Sequence, residues 1–249
     1  MAPQSEIRIL NDSAELFKVA ASEFALLARD AVHRKGSFSV ALSGGSTPKS
    51  LYSLLASQAA PDIPWSDTHI FFSDERFVPP DHPESNFRMA NEAMLSKVGI
   101  PPQNVFRVPT EEASADLAAQ KYEETIRDFF VLPADEIPRF DLILLGLGPD
   151  GHTASLFPDS TGLNETQRLV VANWVEKFRT YRITFTYPLI NSAACDTFLV
   201  SGADKARIVR EVFENESAKL PAQRVRPTDG RLLWLIDRAA ASALSEETR

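Results

Sequence analysis

The chain is poor in the residues that build metal centres and disulfides. It has a single cysteine, Cys195, in 249 residues, which excludes an intramolecular disulfide and a thiolate metal cluster. Four histidines are scattered without a metal-spaced pair, so neither a metal site nor another cofactor is expected. Positive charge is also short, with 26 Lys and Arg against 34 Asp and Glu and a formal net charge of −8. Such a balance disfavours a broad nucleic-acid surface, which needs clustered cations, and leaves room for a local basic pocket around a small phosphorylated ligand. No apolar run approaches the roughly 18 residues of a membrane span. The opening Met-Ala-Pro-Gln-Ser-Glu has neither a basic region nor an apolar core, so no secretory signal is expected and a cytoplasmic setting is the default.

With 44% hydrophobic and 24% charged residues, the composition is that of a globular chain, long enough for a substantial core. No repeat or low-complexity linker divides it, and one domain over 1–249 is the expectation. Strand-like and helix-like segments alternate, the signature of a parallel sheet flanked by helices. Strands are expected over 6–10, 38–42, 68–72, 105–108, 140–145, 169–174, 182–186, 197–200 and 232–236. Asp12 and Glu15 open a capping box before the helically spaced Leu16, Val19, Ala20, Phe24, Leu27, Ala28 and Ala31. Further helices are expected after 42, with Pro48 in the first turn, and over 85–95, 113–130, 205–213 and 238–244. Residues 79–83 and 217–227 read as mobile loops.

Three loops follow strands, where open α/β sheets bind ligands. Gly146-Leu-Gly-Pro-Asp-Gly-His-Thr presents Asp150 and His152 after an apolar run. Histidine is the natural proton carrier near neutral pH, and a carboxylate two residues away can fix its tautomer. The same turn could equally be an ordinary one, with the histidine capping a helix. Its Gly-x-Gly-x-x-Gly pattern is not a dinucleotide site, because Pro158 interrupts any following helix and Asp150 would face the pyrophosphate. Ser43, Gly44, Gly45, Ser46 and Thr47 lead into a helix, a combination that suits an anion or a plain cap. Asp74, Glu75 and Arg76 follow another strand. Arg76 could grip an anion or a developing oxyanion, or simply pair with Asp74 or Glu75. Lys177, Arg182 and Lys205, each taken alone, read as surface charge.

Taken together, Ser-Gly-Gly-Ser-Thr-Pro at 43–48, Ser-Asp-Glu-Arg at 73–76 with Ser85-Asn86, and the Gly-rich segment 146–158 closely resemble the glucosamine-6-phosphate isomerase/6-phosphogluconolactonase family, in order and in spacing. Lys177 with Arg182-Ile-Thr and Gly202 with Lys205-Ala extend the likeness to the lactonase branch over nearly the whole chain. A departure is Phe178-Arg179, where many members carry prolines after the lysine. The resemblance implies a three-layer α/β/α sandwich with a mostly parallel, modified Rossmann-type sheet. It also implies metal-free hydrolysis of 6-phospho-D-glucono-1,5-lactone in the pentose phosphate pathway.

The residue chemistry suits such a reaction. A δ-lactone is an activated ester, so it needs a base for water, a stabiliser for the oxyanion and a hold on the remote phosphate. His152 is expected as the base, oriented by Asp150, with Arg76 offsetting the developing charge. Ser43, Gly44, Gly45, Ser46, Thr47, Asp74, Lys177, Arg182 and Lys205 are the expected substrate contacts, and a small sugar phosphate is the expected partner. Glucosamine-6-phosphate deaminases share the Asp-Gly-His turn, but there a glutamate follows the histidine by five residues, where this chain has Phe157, and Asp-Glu-Tyr replaces Asp74-Glu75-Arg76. A non-catalytic sugar-phosphate sensor fits poorly with an intact His152, Asp150 and Arg76.

Overall fold

The computed structural model describes residues 4–133 and 136–248; residues 1–3, part of the segment read for a secretory signal, lie outside them. Nine strands and six α-helices run through the described residues in the order β1 (Gln4–Leu10), α1 (Ser13–Lys35), β2 (Phe38–Leu42), α2 (Ser46–Leu55), β3 (Thr68–Phe72), β4 (Asp74–Arg76), α3 (Asn86–Ala90), α4 (Ala115–Phe130), β5 (Leu142–Leu145), β6 (Val170–Val175), β7 (Thr180–Phe185), α5 (Tyr187–Ile190), β8 (Cys195–Val200), α6 (Ala206–Glu214) and β9 (Arg231–Asp237). Six strands form a parallel sheet in the order β1-β9-β8-β5-β2-β3. Every residue of β2, β5 and β8 is buried, so both faces of the sheet are covered, as the three-layer α/β sandwich requires. Among the described residues no helix is long and apolar enough to cross a membrane.

Local chemistry explains the main elements. Asp12 caps α1 by accepting from the Glu15 amide at 2.8 Å, and the Glu15 carboxylate reaches back to the Asn11 amide at 2.6 Å, a capping box shifted upstream by one residue on its second arm. The helix buries Leu16, Ala20, Phe24, Ala28 and Ala31 and ends at Gly36, whose φ of 79° suits the left-handed C-cap.

Strand order decides where a ligand can bind. From β2 the chain moves outward to β3, then crosses to the other side of β2 to form β5, β8 and β9 in turn. The reversal opens a crevice between the carboxyl ends of β2 and β5, which is the usual ligand position in such sheets. Residues 43–45 and 146–148 emerge there.

The sequence does not announce the second sheet, β4-β7-β6, which is antiparallel. Ser73 is the pivot between the sheets: its amide donates to the Leu42 carbonyl at 2.8 Å and its carbonyl accepts from Phe185 at 2.9 Å. The buried Glu123 of α4 pins the start of β6 by accepting from the Leu169 and Val170 amides and from Arg168.

Three expectations need correction. Residues 105–108 form no strand; only Val105 bridges to Ile70, because a 3-10 turn, Pro102–Asn104, delivers the segment to β3 and Pro109 leads it away. Residues 238–244 make hydrogen-bonded turns rather than a helix, organised by Asp237, whose carboxylate accepts from Ala240, Gly202 and Ser201. The 217–227 loop is anchored rather than free. Pro221, Ala222 and Val225 are buried, and the Gln223 amide donates to the Val212 and Asn215 carbonyls.

Candidate active site

A cleft of about 290 Å³ lies over the β2/β5 crevice. One wall comes from the parallel sheet: Ser43 to Gly45, Gly146 to Pro149 and His152, with Lys205 from the loop after β8. The other comes from the antiparallel sheet and contributes Asp74, Arg76, Phe178 and Arg182.

On the first wall, the Gly148 amide donates to the His152 carbonyl at 2.8 Å and closes a tight turn. A Cβ on Gly148 would lie 2.0 Å from His152 Nδ1, so glycine is what lets the imidazole fold back on its own turn. His152 Nδ1 makes a short hydrogen bond with Asp150 Oδ1. An ionised carboxylate only accepts, so Nδ1 carries a proton, and in the neutral form of the ring Nε2 is left with the lone pair. Burial works to raise the Asp150 pKa, but the His152 hydrogen bond and charge outweigh it and hold the carboxyl well below its ordinary value. Lys177 Nζ stands 3.6 Å from the other Asp150 oxygen. No helix follows for His152 to cap. Instead its ring stacks on Phe157, with centroids 3.9 Å apart and planes at 25°.

The Ser43 loop is held from beneath by the buried Tyr52, whose hydroxyl accepts from the Ser43 amide at 3.0 Å and donates to the Ser43 carbonyl at 2.8 Å. The Ser43 hydroxyl itself is buried, lines the cleft and has no protein partner among the described residues. Gly44 is forced by close approach, since a Cβ there would meet Asn86 Oδ1 at 2.0 Å.

On the second wall, the neighbouring acids Asp74 and Glu75 have different tasks. Glu75 accepts from the amides of Arg76, Asn86 and Phe87 and from the Ser85 hydroxyl, clamping α3 to β4. Burial pushes its pKa up against those bonds. Asp74 accepts from Ser155 Oγ at 2.6 Å and Asn86 Nδ2 at 3.2 Å and faces the cleft. Arg76 makes no ion pair with either acid; its guanidinium donates to the Glu84 carbonyl at 2.6 Å. It stands directly across the β4/β7 ladder from Arg182. Burial, then the charge of Arg76, lowers the Arg182 pKa. The Arg182 guanidinium has no hydrogen bond or ion pair among the described residues; it lies over the Phe178 ring, 5.6 Å from its centroid.

Most of the expected residues converge: His152, Arg76, Asp74, Ser43, Gly44, Gly45, Arg182 and Lys205 line one cleft, and Asp150 supports it through His152. Lys205 donates to the Leu147 carbonyl at 3.0 Å. The remaining three expected residues do not line the cleft either: Ser46 and Thr47 sit in the first turn of α2, and the Lys177 ammonium lies 3.6 Å from Asp150. Phe157, singled out at the fifth position after His152, lines the cleft, and Ser155 and Phe178 line it without having been expected there. The short spacing from His152 pointed towards Ser155; no local pattern could have pointed to Phe178, which arrives by a β-hairpin.

The model of the family described as glucosamine-6-phosphate isomerases/6-phosphogluconolactonase matches residues 11–234. Curated relatives include the 6-phosphogluconolactonases of Synechocystis sp., 46% identical over 216 residues that cover 86% of this chain and 88% of the relative, and of Nostoc sp., 44% identical over 217 residues with the same coverage. Among solved structures, 6-phosphogluconolactonase from Trypanosoma cruzi superposes with a TM-score of 0.84 at 30% identity, over 98% of each chain. A monomeric glucosamine-6-phosphate deaminase, at 22% identity and a TM-score of 0.76 over 96% of this chain and 99% of its own, shares the fold. With most of its length matched by the family model and by relatives this similar, the chain belongs to the glucosamine-6-phosphate isomerase/6-phosphogluconolactonase family.

Proposed function

We propose that this chain hydrolyses 6-phospho-D-glucono-1,5-lactone to 6-phospho-D-gluconate, the lactone step of the oxidative pentose phosphate pathway. The observation that carries the reading is one cleft that joins a carboxylate-oriented imidazole to two guanidiniums without carboxylate partners. The names of the most similar relatives support the substrate.

In this mechanism His152 Nε2 takes a proton from a water that attacks the lactone carbonyl carbon. The imidazolium that forms is stabilised by Asp150, which Lys177 flanks. As the tetrahedral intermediate collapses, the bond from carbon to ring oxygen breaks and His152 returns its proton to that oxygen. Arg76, with amides of the glycine turns, offsets the oxyanion. Arg182, Lys205 and the Ser43 to Gly45 loop hold the phosphate, and Asp74 accepts from sugar hydroxyls. With Phe157 stacked on the imidazole, no acid or base stands at that position for the ring opening a deaminase requires.

We read the whole chain as one lactonase domain working in the cytoplasm. The buried residues of both sheets form one hydrophobic cluster, which supports the single domain. The test is an assay of purified protein on freshly generated 6-phosphogluconolactone, corrected for spontaneous hydrolysis, beside glucosamine 6-phosphate. Lactone hydrolysis above the blank with no ammonia release is expected; the reverse pattern overturns the proposal.

A further inference from the structure

Phe178 is an apolar ring left 49% exposed at the mouth of a polar cleft, an arrangement that folding alone does not reward. It sits in the 3-10 turn Glu176–Phe178 that joins β6 to β7. Two cations lie over this one ring, Lys177 Nζ at 5.5 Å and Arg182 Cζ at 5.6 Å from its centroid, both within reach of its quadrupole. Phe157 braces it edge-on, at 5.9 Å and 80°, and Phe157 in turn stacks on His152. Lys177 has a carboxylate partner in Asp150, whereas Arg182 makes no ion pair or hydrogen bond among the described residues; Asp74, Glu84 and Glu75 act on it only from a distance, and the aromatic face is the direct contact that seats its guanidinium.

We infer that Phe178 is a positioning residue that aims the Arg182 guanidinium at the substrate phosphate while leaving its N–H donors free. A carboxylate in this place would also orient Arg182, but it would neutralise the cation and occupy the planar fork that a phosphate needs. An aromatic face attracts the guanidinium through its quadrupole and takes none of its five N–H donors. Arg182 is therefore held ready for an anion, and Arg76 across the ladder adds to the field. The inference rests on the lactonase reading for its substrate and on the geometry for its anion.

The test compares wild type, Phe178→Leu, Phe178→Tyr and Trp174→Leu, the last removing an exposed aromatic of β6 that pairs with Tyr181 and does not line the cleft. Each is assayed on 6-phosphogluconolactone and on unphosphorylated gluconolactone, and titrated calorimetrically with inorganic phosphate. Phe178→Leu is expected to raise KM for the phosphorylated lactone about three- to tenfold with kcat within about twofold, and to weaken phosphate binding by the same factor. The unphosphorylated lactone should be unaffected, Phe178→Tyr should restore wild-type KM, and Trp174→Leu should leave it unchanged. An equal loss on both lactones would mean that the ring touches the sugar instead, and overturns the inference. So does an unchanged KM and phosphate affinity in Phe178→Leu, or an equal effect from Trp174→Leu. If wild type hydrolyses no lactone yet Phe178→Leu still weakens phosphate binding, the lactonase reading fails and the role of Phe178 stands.

Discussion

On the wall of the cleft built by the parallel sheet, charges come with counter-charges: Asp150 is met by His152 and Lys177, and the Lys205 ammonium, which donates to the Leu147 carbonyl, stands 4.0 Å from the Asp204 carboxylate. On the wall built by the antiparallel sheet, the Arg76 guanidinium donates only to a neutral carbonyl and the Arg182 guanidinium rests on an aromatic ring, with carboxylates acting on it only from a distance. The difference suits the roles proposed for the two walls. A base must keep a fixed tautomer while its proton comes and goes, so its counter-charge is built in. A binding cation gains most from its ligand when no internal carboxylate already occupies it.

Removing the base breaks the first wall and should have the largest effect. His152→Ala is expected to lower kcat by roughly 10²- to 10⁴-fold while leaving KM near wild type. Steady-state kinetics checks this, and a variant within a few-fold of wild type would take His152 out of the mechanism. Breaking the second wall should act through the phosphate. Arg182→Leu is expected to reduce kcat/KM on the phosphorylated lactone by about 10- to 100-fold and to spare the unphosphorylated one, since a charge-assisted bidentate contact is lost. Equal losses on both substrates would deny Arg182 a phosphate role.

A subtler change tests whether partnered charge on the first wall is matched to its task. Phe157→Glu puts a second carboxylate against the imidazole face, where it favours the protonated ring. The acid limb of kcat/KM should move up by about one pH unit, with activity at neutral pH falling accordingly. Asp150 does not produce that limb. Its folded pKa is depressed, so the contribution of its ionised form is present above its ordinary value of 3.8 and is lost only as pH falls through the lower folded value. An unmoved limb in the pH profile would show that residue 157 does not influence the base. The smallest effect expected is thermal. Inorganic phosphate at about 100 times its Kd should raise the wild-type Tm by roughly 5–10 °C, and the same concentration should raise that of Arg182→Leu by about half as much or less. Equal shifts by differential scanning fluorimetry would mean that phosphate binds elsewhere.

The imidazole turn of the first wall was legible in the sequence because its parts are contiguous. Asp150, Gly151 and His152 form one turn behind an apolar run, and a turn's chemistry is set by neighbours in the chain. The second wall was not. Arg76 and Arg182 were each named, yet nothing in 73–76 or 177–186 says that the two segments pair in an antiparallel ladder, because a register depends on both strands and on α4 packed behind them. The same limit explains Ser46, Thr47 and Lys177, whose residue types suit an anion but which the start of α2 and the β6/β7 hairpin leave outside the lining of the cleft.

The sequence by itself determined the alternation of strands and helices, the loops at the strand ends and the pairing of Asp150 with His152, since periodicity, turn residues and short spacings are properties of the chain alone. Only the tertiary structure decided the strand order that opens the crevice between β2 and β5, the three-stranded sheet that faces it, and the seat of Arg182 on Phe178. These depend on contacts between residues far apart in the chain, whose energies come from packing and desolvation that no local pattern encodes.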